Sequence, residues 1–454
     1  MSKVDRRDFL RVSSVMGLGV GLGTGCATMG STGGGGRPAV KATAAPGRAT
    51  ANEKITLGFV GVAGRGTHLL KDRFLRHGDV EVAAVCDVYE PHRDAAVALT
   101  GGKAKAYKDF RALLDRNDLD AIVCATPPHW HPLVTIMACE AGKDVYCEKP
   151  MCFTPAEGQA MVKAARANHR ITQVGTQIHA TENYHHVVDI VRSGILGKIS
   201  KIHCVLALNE APNGIGKQPN AEPPANLDWD LWCGPAPLIP YNETVFSGGR
   251  HRYVKALIGS WIHEMGPHIV DLPIWAMNAP QPKSVVAMGG KYATDDISTI
   301  PDTFGVLWDY GDFMLEWTNL CASSHGLQFH GGKGITRRLG TSFHGTNATL
   351  TADYSTMEII AEGERLAGTD IPPRKERDWP EHDREFLDCV KSRALPSCDV
   401  GYHYNVHVAL NLGNIAFDAG RMLNWDAEAG AFVGDAATQA LAMPNYRAPW
   451  ALPV

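Results

Sequence analysis

Glu148-Lys149-Pro150 carries the most pointed chemistry in this chain. Proline fixes its own φ and biases the residue before it towards extended backbone, so the Lys149 amine is held and not loose. On a solvated turn the same triplet would be a Glu–Lys pair of little consequence. Other residues decide between the two. Gly61-Val-Ala-Gly-Arg-Gly66 follows an apolar run, Ile55-Thr-Leu-Gly-Phe-Val60, and precedes a helical pattern from Thr67. In that order backbone N–H groups and a helix N-terminus receive a pyrophosphate. Gly61, Gly64, Arg65 and Gly66 are therefore candidate cofactor-binding residues, as is Ala63, whose methyl replaces the second glycine where the backbone approaches most closely. Asp87 ends the next β-type run about twenty residues beyond Gly66. A carboxylate there accepts hydrogen bonds from an adenosine ribose and repels a 2′-phosphate, favouring NAD over NADP, and its competing use is a helix cap before Pro91.

Alternating strands and helices must position these groups. A third β run, residues 119–126, leads into Pro127-Pro-His-Trp-His-Pro132, a loop lying where ligands sit beyond the carboxyl ends of parallel strands. Thr126, Pro127, His129 and His131 are assigned to the cofactor, with simple packing in the loop as the alternative for the two histidines. A helix from Leu133 to Ala141, stopped by Gly142, precedes the strand that delivers Glu148 and Lys149. After Gly175 the period changes to two in residues 199–208, 284–289 and 304–310, which predicts an antiparallel sheet. Residues 383–390 and 406–423 return to helical period and are expected to pack back on the first domain. The fold class is α/β: an N-terminal Rossmann dinucleotide-binding domain plus a C-terminal α+β domain with a large open, mainly antiparallel sheet. The expected segments are 1–52, an export signal and tether; 53–175, the Rossmann domain; and 176–454, the substrate and oligomerisation domain.

The chain has 454 residues, enough for two full cores, with 44% apolar residues, 20% charged residues and a formal net charge of -4. There is no basic excess to recruit nucleic acid. Arg6-Arg7-Asp-Phe-Leu10 followed by a short glycine-rich apolar run reads as a twin-arginine export signal, with a periplasmic destination. Cys26, ending Leu22-Gly-Thr-Gly-Cys, is a candidate lipid anchor. Most of the eleven cysteines lie in apolar segments as small core residues, and no spacing supports a metal site.

Taken in order, Gly61-x-Ala-x-x-Gly66, Asp87, Ala125-Thr-Pro-Pro-His-Trp-His131 and Glu148-Lys149-Pro150 resemble the Gfo/Idh/MocA family of sugar and inositol oxidoreductases. Gly175-Thr-Gln177, residues 193–199, Trp229-Asp-Leu-Trp-Cys-Gly-Pro235 and Tyr446-Arg-Ala-Pro-Trp450 are similar to exported members of that family. The resemblance implies NAD as cofactor, a small carbohydrate or polyol as partner, and a homo-oligomer formed through the sheet face. It also implies a catalytic group of the E-K-P lysine, Lys149, with an acid and a histidine four residues apart on a helix. Glu264, in place of the family's Asp, and His268 stand at those positions, and a spacing of four puts both on one helical face.

Oxidising a secondary alcohol needs a base for the hydroxyl proton while hydride leaves for nicotinamide. Either His268 or Lys149 could serve, the other stabilising the oxygen's developing charge. Candidate substrate residues are Gln177, His179, Tyr184, Arg252 and His263, with Arg250, His251, His325 and His330 as further polar candidates, because a polyol site needs many directional hydrogen bonds. The leading expectation is hydride transfer to or from a sugar or cyclic polyol. The alternatives are a redox-neutral enzyme with tightly bound NAD (a glycosidase by oxidation and elimination, an epimerase or a sugar–sugar oxidoreductase) and a non-catalytic sugar-binding lipoprotein.

Overall fold

The computed structural model describes residues 54–328 and 336–453. The expectations for the leader, Cys26 and His330 lie outside the described residues. Six short strands form the first sheet: β1 (Ile55–Val60), β2 (Val80–Cys86), β3 (Lys105–Tyr107), β4 (Ala121–Cys124), β5 (Asp144–Cys147) and β6 (Thr172–Val174). Their order is β3-β2-β1-β4-β5-β6 and every pairing is parallel. Strand β4 is buried along its length because both sheet faces are covered, which is why it reads as an unbroken apolar run. The order reverses between β1 and β4, so the loops leaving these strands open a crevice at the carboxyl end of the sheet.

The second sheet uses β7 (Ile199–Ala207), β8 (Ser284–Gly290), β9 (Thr303–Asp309) and β10 (Met314–Leu320). A small ribbon, β11 (Leu327–Gln328) with β12 (Thr336–Arg337), precedes β13 (Leu339–Gly345), β14 (Ala348–Ala352), β15 (Met357–Ala361), β16 (Leu423–Asp426) and β17 (Ala431–Phe432). Nine of these strands run β15-β14-β13-β7-β10-β9-β8-β16-β17, antiparallel except for the parallel pair β7/β10. One face carries Trp308 and Trp317 into the core with the helices Trp261–Ile269 and Val400–Ala419. The Trp308 indole N–H donates to the Ala409 carbonyl at 2.9 Å, so the long helix is seated as well as packed. The other face leaves Val286, Met288 and Leu307 exposed.

Two helices of the second half reach the first. His382–Ser392 buries Phe386, Leu387 and Val390 against Phe59, Phe74 and Tyr146, each such side chain stabilising the contact by about 1.5–3 kcal/mol. Val400–Ala419 begins on Asp399, which caps Gly401 N–H at 2.8 Å and also pairs with Arg166 of the helix Pro155–Ala167. Gly158 lets these two helices meet, since a Cβ there would lie 2.6 Å from the Tyr404 ring. The residues of the site hang from this framework.

Candidate functional site: a nucleotide cleft ending at Lys149

The cleft, of about 530 Å³, opens at the carboxyl ends of β1, β2 and β4. Its floor is the glycine turn. Gly61 has φ +80°, and a Cβ there would lie 2.6 Å from the Thr126 nitrogen. A Cβ on Gly66 would fall inside the Gly61 carbonyl oxygen. Gly64, at φ +44°, has open space where its side chain would be. Two glycines are thus spent on tight packing and one leaves room for an approaching group. The helix Arg65–His68 starts here and continues as a wider turn over Leu69–Phe74, with the Gly66 N–H turned back onto the Ala63 carbonyl at 2.7 Å. Asp87 Oδ2 accepts from Val62 N–H at 3.0 Å, and Oδ1 accepts from Tyr89 N–H at 3.0 Å with His92 at 3.4 Å. It is not a helix cap, because the following helix begins on Tyr89. The carboxylate ties the glycine turn to the end of β2 and retains acceptor capacity on Oδ2. These residues fit a dinucleotide: a cradle that a Cβ would fill, with an acceptor beside it.

At the far end Lys149 enters from β5 through a cis Lys149–Pro150 bond. Its Nζ lies 2.9 Å from Glu264 Oε1 and donates to the Glu264 carbonyl at 2.8 Å, leaving one N–H. Arg252 Nη1 reaches the same Oε1 at 3.3 Å. Burial pushes the Glu264 carboxyl up, but the Lys149 and Arg252 cations outweigh it, and its pKa falls below the usual glutamate value. The Glu264 carboxylate thus reaches both Lys149 and Arg252 through one oxygen. Glu148 turns the other way and accepts from Arg65 Nε at 2.8 Å, in a space that exists because residue 175 is glycine. Gln177 sits beside this group, donating to the Tyr146 hydroxyl at 3.2 Å and to the Gly175 carbonyl at 2.5 Å.

Two buried histidines hold the lysine's backbone. His131 faces the Pro150 carbonyl through Nδ1 at 2.7 Å and the Thr126 carbonyl through Nε2 at 3.0 Å. Burial holds this imidazole neutral, its pKa pushed down to about 4, and we assign the single ring proton to Nδ1 on the shorter contact. His407, from the helix Val400–Ala419, donates from Nδ1 to the His403 carbonyl at 2.9 Å and accepts the Met151 N–H on Nε2 at 3.0 Å. Its tautomer is fixed by that pair of partners.

His268 lies one helical turn beyond Glu264, partly exposed and past the end of the cleft's wall, with no hydrogen bond to any described residue. Burial of its surroundings, then the Lys149 charge, lower its pKa to about 3, so the ring is neutral with a lone pair to offer. Arg252 and His251 line the cleft, whereas Arg250 and His325 are exposed on the surface. Gln177 and His268 are not among the residues that line the cleft, and four more of the expected residues lie away from it. His129 is buried against Trp232 and bonded to its carbonyl at 2.9 Å. His179 stacks on Trp275 at 4.1 Å and faces the fully buried Asp271 at 3.3 Å. Tyr184 is on the buried face of the helix Glu182–Ser193 against Tyr354. His263 donates to Asn411 Oδ1 at 2.8 Å and accepts from Asn414 at 2.9 Å. The three histidines are core polar groups whose partners are internal, and the Tyr184 ring is core packing.

The fold also gathers Cys124, His131 and Cys147, with ligand-type atoms within 4.8 Å of one another, a cluster that sequence spacing hides. Both ring nitrogens of His131 are turned to backbone carbonyls, and we assign no ion there. Sequence reasoning missed the outer wall of the cleft. Tyr89, His92 and Lys108 of the first domain face Trp232, Tyr241 and Phe246 of the second. The available signal was the tryptophan-rich stretch from Trp229 to Pro235.

Residues 55–176 match the family model described as "Oxidoreductase family, NAD-binding Rossmann fold", that of the Gfo/Idh/MocA proteins. Inositol 2-dehydrogenase of Salmonella typhimurium is 30% identical over 150 residues, 33% of this chain and 45% of that protein. A glycosyl hydrolase family 109 protein of Shewanella baltica is 29% identical over 157 residues, 32% and 33% of the two chains. The chain thus spans less than half the length of the curated relatives it matches. Among solved structures, the WlbA dehydrogenase of Bordetella pertussis in complex with NADH and UDP-GlcNAcA aligns at TM-score 0.61 and 18% identity over 82% of this chain and 99% of that one. Levoglucosan dehydrogenase in complex with NADH and levoglucosan aligns at 0.57 and 14%, over 82% and 99%. These likenesses show a shared two-domain fold.

Proposed function

We propose, from the premise of a Gfo/Idh/MocA-type NAD-binding domain, that the protein is an NAD-dependent oxidoreductase acting at a secondary alcohol of a sugar or cyclic polyol. The observation that carries this reading is the Lys149–Glu264 pair at the end of a cleft whose glycine turn fits a dinucleotide. Gly61, Ala63, Gly64, Arg65, Gly66, Asp87, Thr126 and Pro127 would hold NAD, which when bound accepts or returns hydride. Lys149 offers its remaining N–H to the substrate oxygen and stabilises the charge that develops there as the proton leaves. Glu264 and Arg252 fix the amine's direction. In this reading His268, one helical turn beyond Glu264 and without an internal hydrogen bond, takes the hydroxyl proton. Arg252 and His251, which line the cleft, supply donors for neighbouring hydroxyls.

Lys149→Ala is expected to lower turnover by about 10²–10⁴-fold while NAD still binds, because acid–base and charge-stabilising groups contribute on that scale. A screen of polyols and pyranosides with nicotinamide absorbance as readout, beside NAD binding by calorimetry, tests it; full activity in the variant removes Lys149 from the mechanism. A second reading, a redox-neutral enzyme that regenerates its NAD within each cycle, is supported by the way the outer wall encloses the cleft. Export by the twin-arginine route, a lipid anchor at Cys26 and assembly through the open sheet face belong to the same proposal. Cell fractionation and light scattering of the secreted form test them.

A further inference from the structure

The first domain does not wall its own nucleotide cleft. Opposite Asp87 and Tyr89, the outer side is made by residues 224–252 of the second domain, which cross back over the first before the helix Trp261–Ile269 begins. This segment is fastened along its length. Leu227 forms a bridge with Tyr89, with Glu90 N–H donating to the Asn226 carbonyl at 3.1 Å and Asp228 N–H to the Val88 carbonyl at 3.2 Å. Asp228 also caps the helix Trp229–Cys233 and pairs with Lys108 at 2.8 Å. Beyond the cleft, the Trp130 indole N–H and His129 donate to carbonyls of Leu231 and Trp232, and Gly234 is glycine because a Cβ would enter the Trp130 ring. Arg447 locks the far side, donating to Asp230 Oδ1 at 2.6 Å and to the Gly234 carbonyl at 3.1 Å.

The segment also has a core of its own. Trp229, Trp232, Tyr241 and Leu257 pack into a separate apolar cluster that takes in Val88 and Tyr89 of the first domain. Phe246 meets Tyr89 edge-on at 5.4 Å and lies parallel to the His92 ring at 6.0 Å. A surface ion pair alone would hold little. Backbone hydrogen bonds on both flanks of the cleft and a shared aromatic core make a fixture, not a fluctuating loop.

We infer that residues 221–253 form a strap that holds the dinucleotide captive from outside the cleft, so that NAD leaves only when the strap comes away from Tyr89. The inference rests on the NAD-site reading above. His129 then acts on the strap and not on the cofactor.

The test is exchange of bound NAD on the full-length protein. Protein loaded with NAD is chased with isotopically labelled NAD and followed by native mass spectrometry, beside Asp228→Ala, Arg447→Ala and their combination. The parent is expected to exchange slowly through the chase, and the combined variant at least about tenfold faster, since loosened contacts show mainly in the off-rate. Hydrogen exchange across 221–253 in both proteins, with far-UV circular dichroism, separates a lifted strap from an unfolded chain. Rapid exchange in the parent, equal to that of the combined variant, would overturn the strap while leaving NAD-dependent chemistry intact. Failure of every form to bind NAD sinks the function reading and this inference with it.

Discussion

Glu264 meets Lys149 twice, through its carboxylate at 2.9 Å and through its own carbonyl at 2.8 Å. Because the same oxygen also receives Arg252, the acid balances two cations in a space that is 7% exposed for Glu264 itself. Neutralising it leaves those cations facing each other with less water than they need. Glu264→Gln is therefore expected to lower kcat by about ten- to a hundredfold with NAD affinity unchanged, the lower end of what positioned acid–base partners contribute. Steady-state kinetics beside NAD titration would check this, and a variant with raised KM alone would show that the acid only binds substrate. Asp87 is the matching residue at the other end of the cleft. Asp87→Asn keeps an acceptor for Val62 or Tyr89 but removes the charge that repels a 2′-phosphate. Its NADP affinity should rise relative to NAD, and an unchanged ratio in a binding assay contradicts that role.

At the scale of elements, the turn Lys149-Pro150-Met151 is held from two domains, by His131 on the Pro150 carbonyl and by His407 on the Met151 N–H. His407→Leu leaves that N–H buried without an acceptor, a loss of about 1–3 kcal/mol, and frees the turn. We expect lower kcat, faster hydrogen exchange at Met151, and partial rescue by His407→Gln, whose carbonyl can accept; a variant with parental kcat and exchange rates removes the clamp. The glycine turn and Asp87 at a strand end were legible in the sequence because each is a local pattern of a few residues, and the alternation of strands and helices pointed to the parallel sheet. His129, His179, Tyr184 and His263 were not, since period and polarity say that a side chain shares a face with others but not whether that face meets a cleft or a buried partner. Tyr184 lies on a helix whose apolar side continues through Val187, Val188 and Val191, and it follows them inward. The strap was unreadable for another reason: its function is in pairings more than a hundred residues apart, as between His129 and Trp232.

Six deeply buried histidines stay neutral in the described part of the molecule. His129, His131, His263, His382, His403 and His407 are each no more than 4% exposed. Burial lowers five of them to about 3 or 4 and His407 well below its ordinary value. In the unfolded chain these rings titrate near 6.5. Below that pH the unfolded state therefore binds protons that the folded state refuses until about pH 4 or lower, so stability is full above pH 6.5 and falls as the pH drops through this window. Each ring contributes a slope of about 1.4 kcal/mol per pH unit once its unfolded form is protonated. Buried carboxylates such as Asp271, held low by His179 and the Tyr402 hydroxyl against the opposing effect of burial, act only further down, near the carboxylate range. Urea unfolding at a series of pH values between neutrality and about 4.5 separates the two windows, because carboxylates of the unfolded chain titrate mainly below it. We expect the stability slope between pH 6 and 5 to correspond to about three or more protons taken up on unfolding, with the m-value constant. An uptake of less than one proton would mean that the six rings are already charged in the folded core, and with them His131, whose neutrality the assignment of its Pro150 contact requires.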